Sequence, residues 1–324
     1  MCIFVFLNNK FEMKFKTILS IVLFTLLAMA CKKEEKETTS EYMTGSISVN
    51  IPAFVLPGHA IKASDISQNL YAGGKAIGFY VIDPYTQERD SAAAFEYSKF
   101  LPLVVRDTIG TFKFTCGGFA EGYYNSVGSA TFDVLDPKPD GSLKNLGIDW
   151  NDTTFITDSD GRKYYYTQVN GLMWLRQNIA DESAGQPYSY CDATNDVFGR
   201  YYTWKEANTI CPDGWRLPTV EEWDGLHAAD VMVAATLNGE RMWPLTPDIK
   251  VTNATGLSVL PCGYAEVSTD GYLFKGFKSY ATFWTSSEFD GKHIYQCLYE
   301  DQNVISSLPA DDETFAASVR CVKK

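Results

Sequence analysis

The sequence predicts a β-sandwich followed by an α+β domain, on three observations. From Thr44 to Asp136, short alternating runs such as SISVNI, AIGFYVI, GTFKFTC and SATFDVL are broken by Gly, Pro, Asn and Asp, with no long stretch of helical period. That is the pattern of a sandwich of short antiparallel strands. PKPDGS, Pro137 to Ser142, has turn and linker composition, so residues 137–146 are expected to join the two domains. Beyond them, TWKEA and TVEEW each place a glutamate three residues after a threonine, the capping-box signature of a helix start, amid further β-rich runs.

What precedes the sandwich sets the compartment. Met13 to Cys31 has lysines at 14 and 16, an apolar run from Ile18 to Leu27 and small residues before a cysteine, the layout of a secretory signal. The apolar run is roughly ten residues where about 20 are needed to cross a bilayer. The ending Leu27-Ala28-Met29-Ala30-Cys31 resembles a bacterial lipoprotein box, and the KKEEKE that follows resembles the surface-export signal of Bacteroidetes lipoproteins. The resemblance implies a signal peptide over 1–31 with its true start at Met13, lipidation at Cys31, and a charged linker over 32–43. The protein is then expected on the cell surface, held in the outer membrane by its lipid.

Charge and cysteine usage exclude several function classes. The net charge of −12 becomes −14 when residues 1–31 are removed, leaving 25 basic against 39 acidic residues. Binding nucleic acid needs clustered Lys and Arg, so no nucleic-acid partner is expected. Six cysteines remain besides Cys2 and Cys31, and no CxxC pair occurs among them, so neither zinc nor another metal or cofactor is expected. The three histidines, His59, His227 and His293, lie in separate segments without an HExxH or GxSxG context. A glycosidase pair of Glu221 or Glu222 with Glu288 competes with the capping role of Glu222. No catalytic residue is assigned.

Within the first domain, GTFKFTCGGFAEGYY and SATFDVLD resemble the last two strands of an immunoglobulin-like or PKD-like module, joined by AEGYYNSVG. Cys116 has no partner there and reads as a buried free thiol. The second domain opens with a hairpin around Asp160-Gly161. Asp158 and Asp160 lack the remainder of a calcium loop. Thr203 and Glu206 start a helix at Trp204, which Pro212 and Gly214 end after Cys211. Trp215-Arg216-Leu217 makes one extended step, and Thr219 with Glu222 starts a second helix carrying Trp223 and Leu226 on one face. Arg216, between two apolar residues, requires a carboxylate or carbonyl acceptor.

VNGLMWLRQNI, FGRYYTWKEANTICPDGWRLPTVEEWDGL, GLSVLPCGY, FWTSSEFD and the terminal SVRCVKK together resemble the Fibrobacter succinogenes major paralogous domain (FISUMP) family over about Gly147 to Lys324. TWKEANTIC followed by WRLPTVEEW is also similar to the paired helices of formylglycine-generating enzymes and C-type lectins. The resemblance implies a C-type-lectin-like fold over 147–324, with first and last strands close together and a disulfide from Cys211 to Cys321. Cys262 and Cys297, both in strand-like runs, form the second expected pair and leave Cys191 over.

The expected function is calcium-independent, non-catalytic binding of an extracellular glycan or peptide. The residues expected at the ligand are Tyr188, Tyr272, Phe274, Lys275 and Trp284, from loop-like stretches that also carry Gly or Ser. Trp204, Trp215 and Trp223 are assigned to the core. Two alternatives belong to other classes: a structural or adhesive part of a surface assembly, and an enzyme on a formylglycine-generating-enzyme-like scaffold.

Overall fold

The computed structural model describes residues 40–324 except 137, 139–140 and 245–248. The expected signal peptide, Cys31 and residues 32–39 of the charged linker therefore lie outside the described residues. The chain is β-rich with few and short helices.

Side-chain alternation builds the first body. Strands β1 (Phe54–Val55), β2 (Gly78–Ile82), β3 (Arg89–Ala92), β4 (Gly110–Phe119) and β5 (Ser126–Val134) form one sheet in the order β1-β5-β4-β2-β3. All pairs are antiparallel except β1 with β5. Phe114 and Cys116 of β4, and Phe132 and Val134 of β5, are spaced by two and point to one side, where each is at most 1% exposed. Ile47, Ile61, Ile66 and Leu103, from two short antiparallel pairs, complete that core. Gly117 is required because the Tyr80 ring lies where a Cβ would project. Cys116 is a free thiol, and burial pushes its pKa up to about 12.

The second body is built on three larger sheets, beside a small one that joins Thr236–Leu237 to Glu240–Arg241. Strands β6 (Phe155–Thr157), β7 (Lys163–Val169) and β8 (Leu172–Leu175) run as a meander. The hairpin between β6 and β7 spans five residues rather than two. The Asp158 carboxylate organises it, with Oδ1 accepting from the amides of Asp160 (3.1 Å) and Arg162 (2.8 Å), while Gly161 takes φ +83°. A second sheet holds β9 (Gln186–Pro187) and β10 (Arg200–Thr203), followed along the chain by helices α1 (Trp204–Ala207) and α2 (Val220–Asp224). Its other members are β11 (Tyr264–Ser268), β12 (Gly271–Lys275) and a later strand. The third sheet is β13 (Tyr280–Phe289), β14 (Lys292–Tyr299) and β15 (Ile305–Ala310). Strand β16 (Phe315–Ala317) completes the second sheet in the order β9-β10-β16-β11-β12, and β17 (Val322–Lys323) pairs with β8. The opening meander and the last strand of this body thus share one sheet.

The expected first helix is shorter than its sequence suggests. It stops at Ala207, because Asn208 and Thr209 are weak helix formers and Pro212 lacks an amide hydrogen. The capping glutamate works as anticipated: Glu206 Oε2 accepts from the Thr203 amide (2.7 Å) and from its hydroxyl (2.8 Å). At α2 the box is reciprocal, with Thr219 Oγ1 accepting from the Glu222 amide (3.3 Å) and Glu222 Oε2 accepting from the Thr219 amide (2.8 Å).

Arg216 finds its carboxylate in that same glutamate. Its Nη1 and Nη2 donate to the two Glu222 oxygens at 2.9 and 2.6 Å, a forked pair whose arginine side chain is 49% exposed. This pairing, opposed by partial burial, holds the Glu222 carboxyl below its ordinary value. A depressed carboxylate stabilises the fold above its unfolded pKa, and that contribution fades as pH falls through the lowered folded value. Arg216→Ala should therefore cost about 0.5–1 kcal/mol at pH 7, the low figure reflecting solvent screening. The difference between variant and wild type in urea midpoint should shrink below about pH 4. An equal difference at pH 7 and pH 3 would show that the loss comes from packing instead.

The interior of the second body is aromatic. Trp174 meets Trp223 edge-on at 4.9 Å, and Trp223 stacks on Phe283 at 5.3 Å. The two bodies also share a core. Phe54 of β1 packs edge-on against Tyr188, Phe198 and Phe277, in a cluster that includes Leu135, Leu143 and Leu146. The stretch expected as a linker therefore ends inside the structure, with Leu143–Lys144 paired to Thr236–Leu237. Turn-like composition suggested a linker, but Leu143 and Leu146 have somewhere apolar to go. Likewise Glu41–Tyr42, at the end of the expected charged linker, already forms a strand.

Candidate functional site

The residues expected at the ligand do not come together as an open surface. Trp284 is fully buried, and its indole Nε1 donates to the Tyr202 carbonyl at 2.8 Å, so it is core rather than contact. Tyr188 and Phe274 are half-buried in the aromatic cluster, with ring centroids 5.3 Å apart, and Tyr188 lies 4.5 Å from Phe277. Their exposed appearance in sequence came from flanking Gly and Ser; the first body covers Tyr188 through Phe54, and Tyr188, Tyr190 and Tyr201 cover Phe274. Lys275 forms an ion pair with Glu266 at 2.6 Å. Tyr272 is half-buried, its hydroxyl 3.5 Å from Glu206 Oε2. Burial first, and that carboxylate second, raise the pKa of this phenol.

The cysteines also differ from expectation. Cys211 and Cys321 are joined, whereas Cys262 and Cys297 are free and buried, as are Cys116 and Cys191. Cys262 packs in the core shared by the two bodies and accepts a hydrogen bond from Asn178 Nδ2 at 3.7 Å. Cys297 sits on β14 opposite Thr282 and Ser306. Strand-like surroundings were a true signal for Cys297 alone, since Cys262 lies in irregular backbone just before β11.

What the fold does build is a cleft of about 710 Å³ on the second body. One wall is the β6–β7 hairpin, through Thr157, Asp158 and Ser159. The segment from Ile179 to Ala184 forms another, and α1 with the turn after it supplies Glu206, Thr209, Cys211 and Asp213. Tyr164 is buried in its floor. Its hydroxyl accepts from the Ala180 amide at 3.1 Å, and burial raises its pKa to about 12. The lining combines carboxylates (Asp158, Asp181, Glu206, Asp213) with hydroxyls (Thr157, Ser159, Ser183, Thr209), and one lysine, Lys205, is tied to Glu313.

Each carboxylate is held differently. Asp158 has a side chain only 8% exposed; its Oδ1 caps the hairpin, while Oδ2 has no hydrogen bond and faces Arg162 Nη1 at 3.8 Å. Arg162 is committed elsewhere as well, to Asp196 (2.9 Å) and Glu182 (3.2 Å). Asp181 Oδ1 accepts from the Ser183 amide at 2.8 Å, and Glu206 also accepts from the Gly185 amide at 3.2 Å. Glu206 therefore lies between the cleft and the aromatic cluster, touching the latter through Tyr272. The chemistry available is hydrogen-bond acceptance and negative potential. The one sulfur at the cleft, on Cys211, is in a disulfide and is no nucleophile. Among the described residues, no three His, Cys, Asp or Glu side chains converge as a metal site.

Sequence reasoning passed over this cleft because its members are individually bland. Asp158 and Asp160-Gly161 were legible as turn chemistry, and Thr203 and Glu206 as a cap. Only the packing of the hairpin beside α1 turns two structural devices into facing walls. His293 is a similar case. It stacks on Trp204 with ring centroids 3.3 Å apart, and its Nδ1 lies 2.8 Å from Asp312 Oδ1, three residues brought together from well-separated segments.

Compared with known families, residues 167–323 match the model described as Fibrobacter succinogenes major domain. No curated protein and no solved structure matches the chain.

Proposed function

We propose that this chain, whose residues 167–323 form a Fibrobacter succinogenes major domain, is an outer-surface lipoprotein that binds an extracellular glycan or peptide without calcium and without turnover. The sandwich acts as an immunoglobulin-like or PKD-like spacer. The second body acts as a C-type-lectin-like domain, a reading supported by the pairing of β8 with β17 and by the disulfide from the end of the α1 region to the last strand. The observation that carries the binding reading is the cleft between the β6–β7 hairpin and α1, lined by carboxylates and hydroxyls. Such a lining accepts hydrogen bonds from sugar hydroxyls or from amino groups, and the acidic character of the whole chain favours neutral or basic ligands.

The test is a glycan and peptide array probed with residues 32–324, followed by titration calorimetry of the best ligand. Chelator should leave the affinity unchanged. Asp213→Asn and Ser183→Ala, both on the cleft wall, should each weaken it, the aspartate by about 1.5–3 kcal/mol if its charge takes a hydrogen bond from the ligand. Tyr272→Phe, next to Glu206 but outside the lining, should have a smaller effect. Unchanged binding by both wall variants, or loss of binding on chelation, would remove the cleft from the argument.

A further inference from the structure

Where the chain enters the sandwich, the structure leaves aromatic rings in water. Tyr42 is 79% exposed, Tyr71 61% and Tyr124 52%. They are held in one place by backbone pairing. Glu41–Tyr42 runs parallel to Tyr123–Tyr124 with Tyr42 opposite Tyr124, and their rings are 4.9 Å apart. Thr44 is bridged to Tyr71, two residues on from Tyr42. Tyr123, half-buried, sets its hydroxyl against Gly73, where a methyl group would not fit, and so locks the 71–74 turn to the same end. The rim is polar and close to neutral, with Lys75 paired to Glu121 at 3.7 Å. Large exposed rings gathered inside a polar rim are characteristic of a contact surface rather than of scattered surface hydrophobics.

We propose that this end of the sandwich lies on the membrane surface, with Tyr42, Tyr71 and Tyr124 among zwitterionic lipid headgroups. The proposal rests on the reading of Cys31 as the lipidated residue. Glu41 lies ten positions after Cys31, a length of chain that spans at most about 36 Å. The patch is therefore kept within reach of the bilayer wherever the rest of the molecule points. Tethering at such a distance gives an effective concentration of about millimolar, so a contact too weak to bind from solution is occupied when anchored. Tyrosine suits the headgroup level because its ring is apolar and its hydroxyl can stay hydrated. The absence of a cationic excess at the rim means that attraction to anionic lipid is not the driving force. The consequence is orientation: with its tether end on the membrane, the sandwich holds the second body away from it.

The experiment separates this from the anchoring itself. Residues 32–324 carrying an N-terminal hexahistidine are attached to phosphatidylcholine vesicles containing a nickel-chelating lipid, which supplies the tether whether or not Cys31 is modified in cells. Asn125→Cys, beside Tyr124, receives an environment-sensitive fluorophore, and the four free thiols, all buried, do not compete for it. Asp270→Cys, in the β11–β12 turn, serves as the distant control. A blue shift and quenching by brominated lipid are expected at 125 and not at 270, insensitive to salt. Both should be lost in Tyr42→Ser/Tyr71→Ser/Tyr124→Ser, which stays bound to the vesicles. A label at 125 that remains in water, or that is shielded equally in the triple variant, overturns the proposal. So does shielding without vesicles that grows with protein concentration, which would assign the patch to a second copy of the chain. Palmitate incorporation at Cys31, followed in cells, tests the anchor alone; its failure with a positive vesicle result removes the biological tether but not the headgroup affinity.

Discussion

Arg320→Met should destabilise the second body by about 3–5 kcal/mol, read as a lower denaturant midpoint with an unchanged slope. The guanidinium is 2% exposed. It donates from Nε to Asn178 Oδ1 (2.6 Å), from Nη1 to the carbonyls of Leu175 (3.1 Å) and Leu257 (2.6 Å), and from Nη2 to that of Ser258 (3.5 Å). Burial lowers its pKa to about 9, which leaves it charged at neutral pH, so the charge is met by oriented dipoles and by the Phe283 ring, 5.5 Å away, with no carboxylate among its hydrogen-bond acceptors. Methionine fills much of the same volume but abandons these oxygens in the interior, where each unpaired polar group costs about 1–3 kcal/mol. Lysine should not rescue the loss, because a single ammonium cannot reproduce the planar fork. A methionine variant within 1 kcal/mol of wild type would show that water or rearrangement satisfies these acceptors instead.

Opening the Cys211–Cys321 disulfide, by reductant or by Cys321→Ser, should have an effect of similar size. The link closes a loop with a sequence separation of 110, for which loop-closure entropy gives about 4–5 kcal/mol at most. For a body of this size that corresponds to a fall of about 8–20 °C in melting temperature. Because Cys211 lies in the cleft wall, ligand affinity should fall as well, at temperatures where the fold is still intact. Non-reducing peptide mapping should recover this pair alone, with Cys116, Cys191, Cys262 and Cys297 alkylated only after unfolding. A melting temperature indifferent to reductant would mean that the packing of β17 between β8 and the Trp215 segment holds that end unaided.

Both predictions concern residues of one short motif, SVRCV, and they illustrate how unevenly the sequence could be read. Cys321 was legible through the family resemblance. Arg320, its neighbour, went unremarked, because its partners at 175, 178, 257 and 258 are carbonyls and an amide contributed by distant segments. Arg216 was recognised as needing an acceptor because it lies between Trp215 and Leu217, but that the acceptor is Glu222, six residues on in the same capping motif, came from the structure. Trp284 failed in the opposite direction: FWTSSE reads as a loop edge, yet β13 runs through the middle of the body, and the indole hydrogen is taken by the Tyr202 carbonyl.

Taken by itself, the sequence determined what depends on near neighbours. The alternating strands of the first body and the glutamate caps of both helices each follow from spacing within about ten residues, where backbone geometry and local hydrogen bonds decide; the turn around Asp160-Gly161 was legible as a turn but not in its five-residue length. The tertiary structure alone decided which cysteines meet, which aromatics are covered by Phe54, and that the β6–β7 hairpin faces α1 across a cleft. Those outcomes depend on which sheet each strand joins. Strand pairing is set by the collective burial of side chains from the whole chain, and no local pattern carries that information.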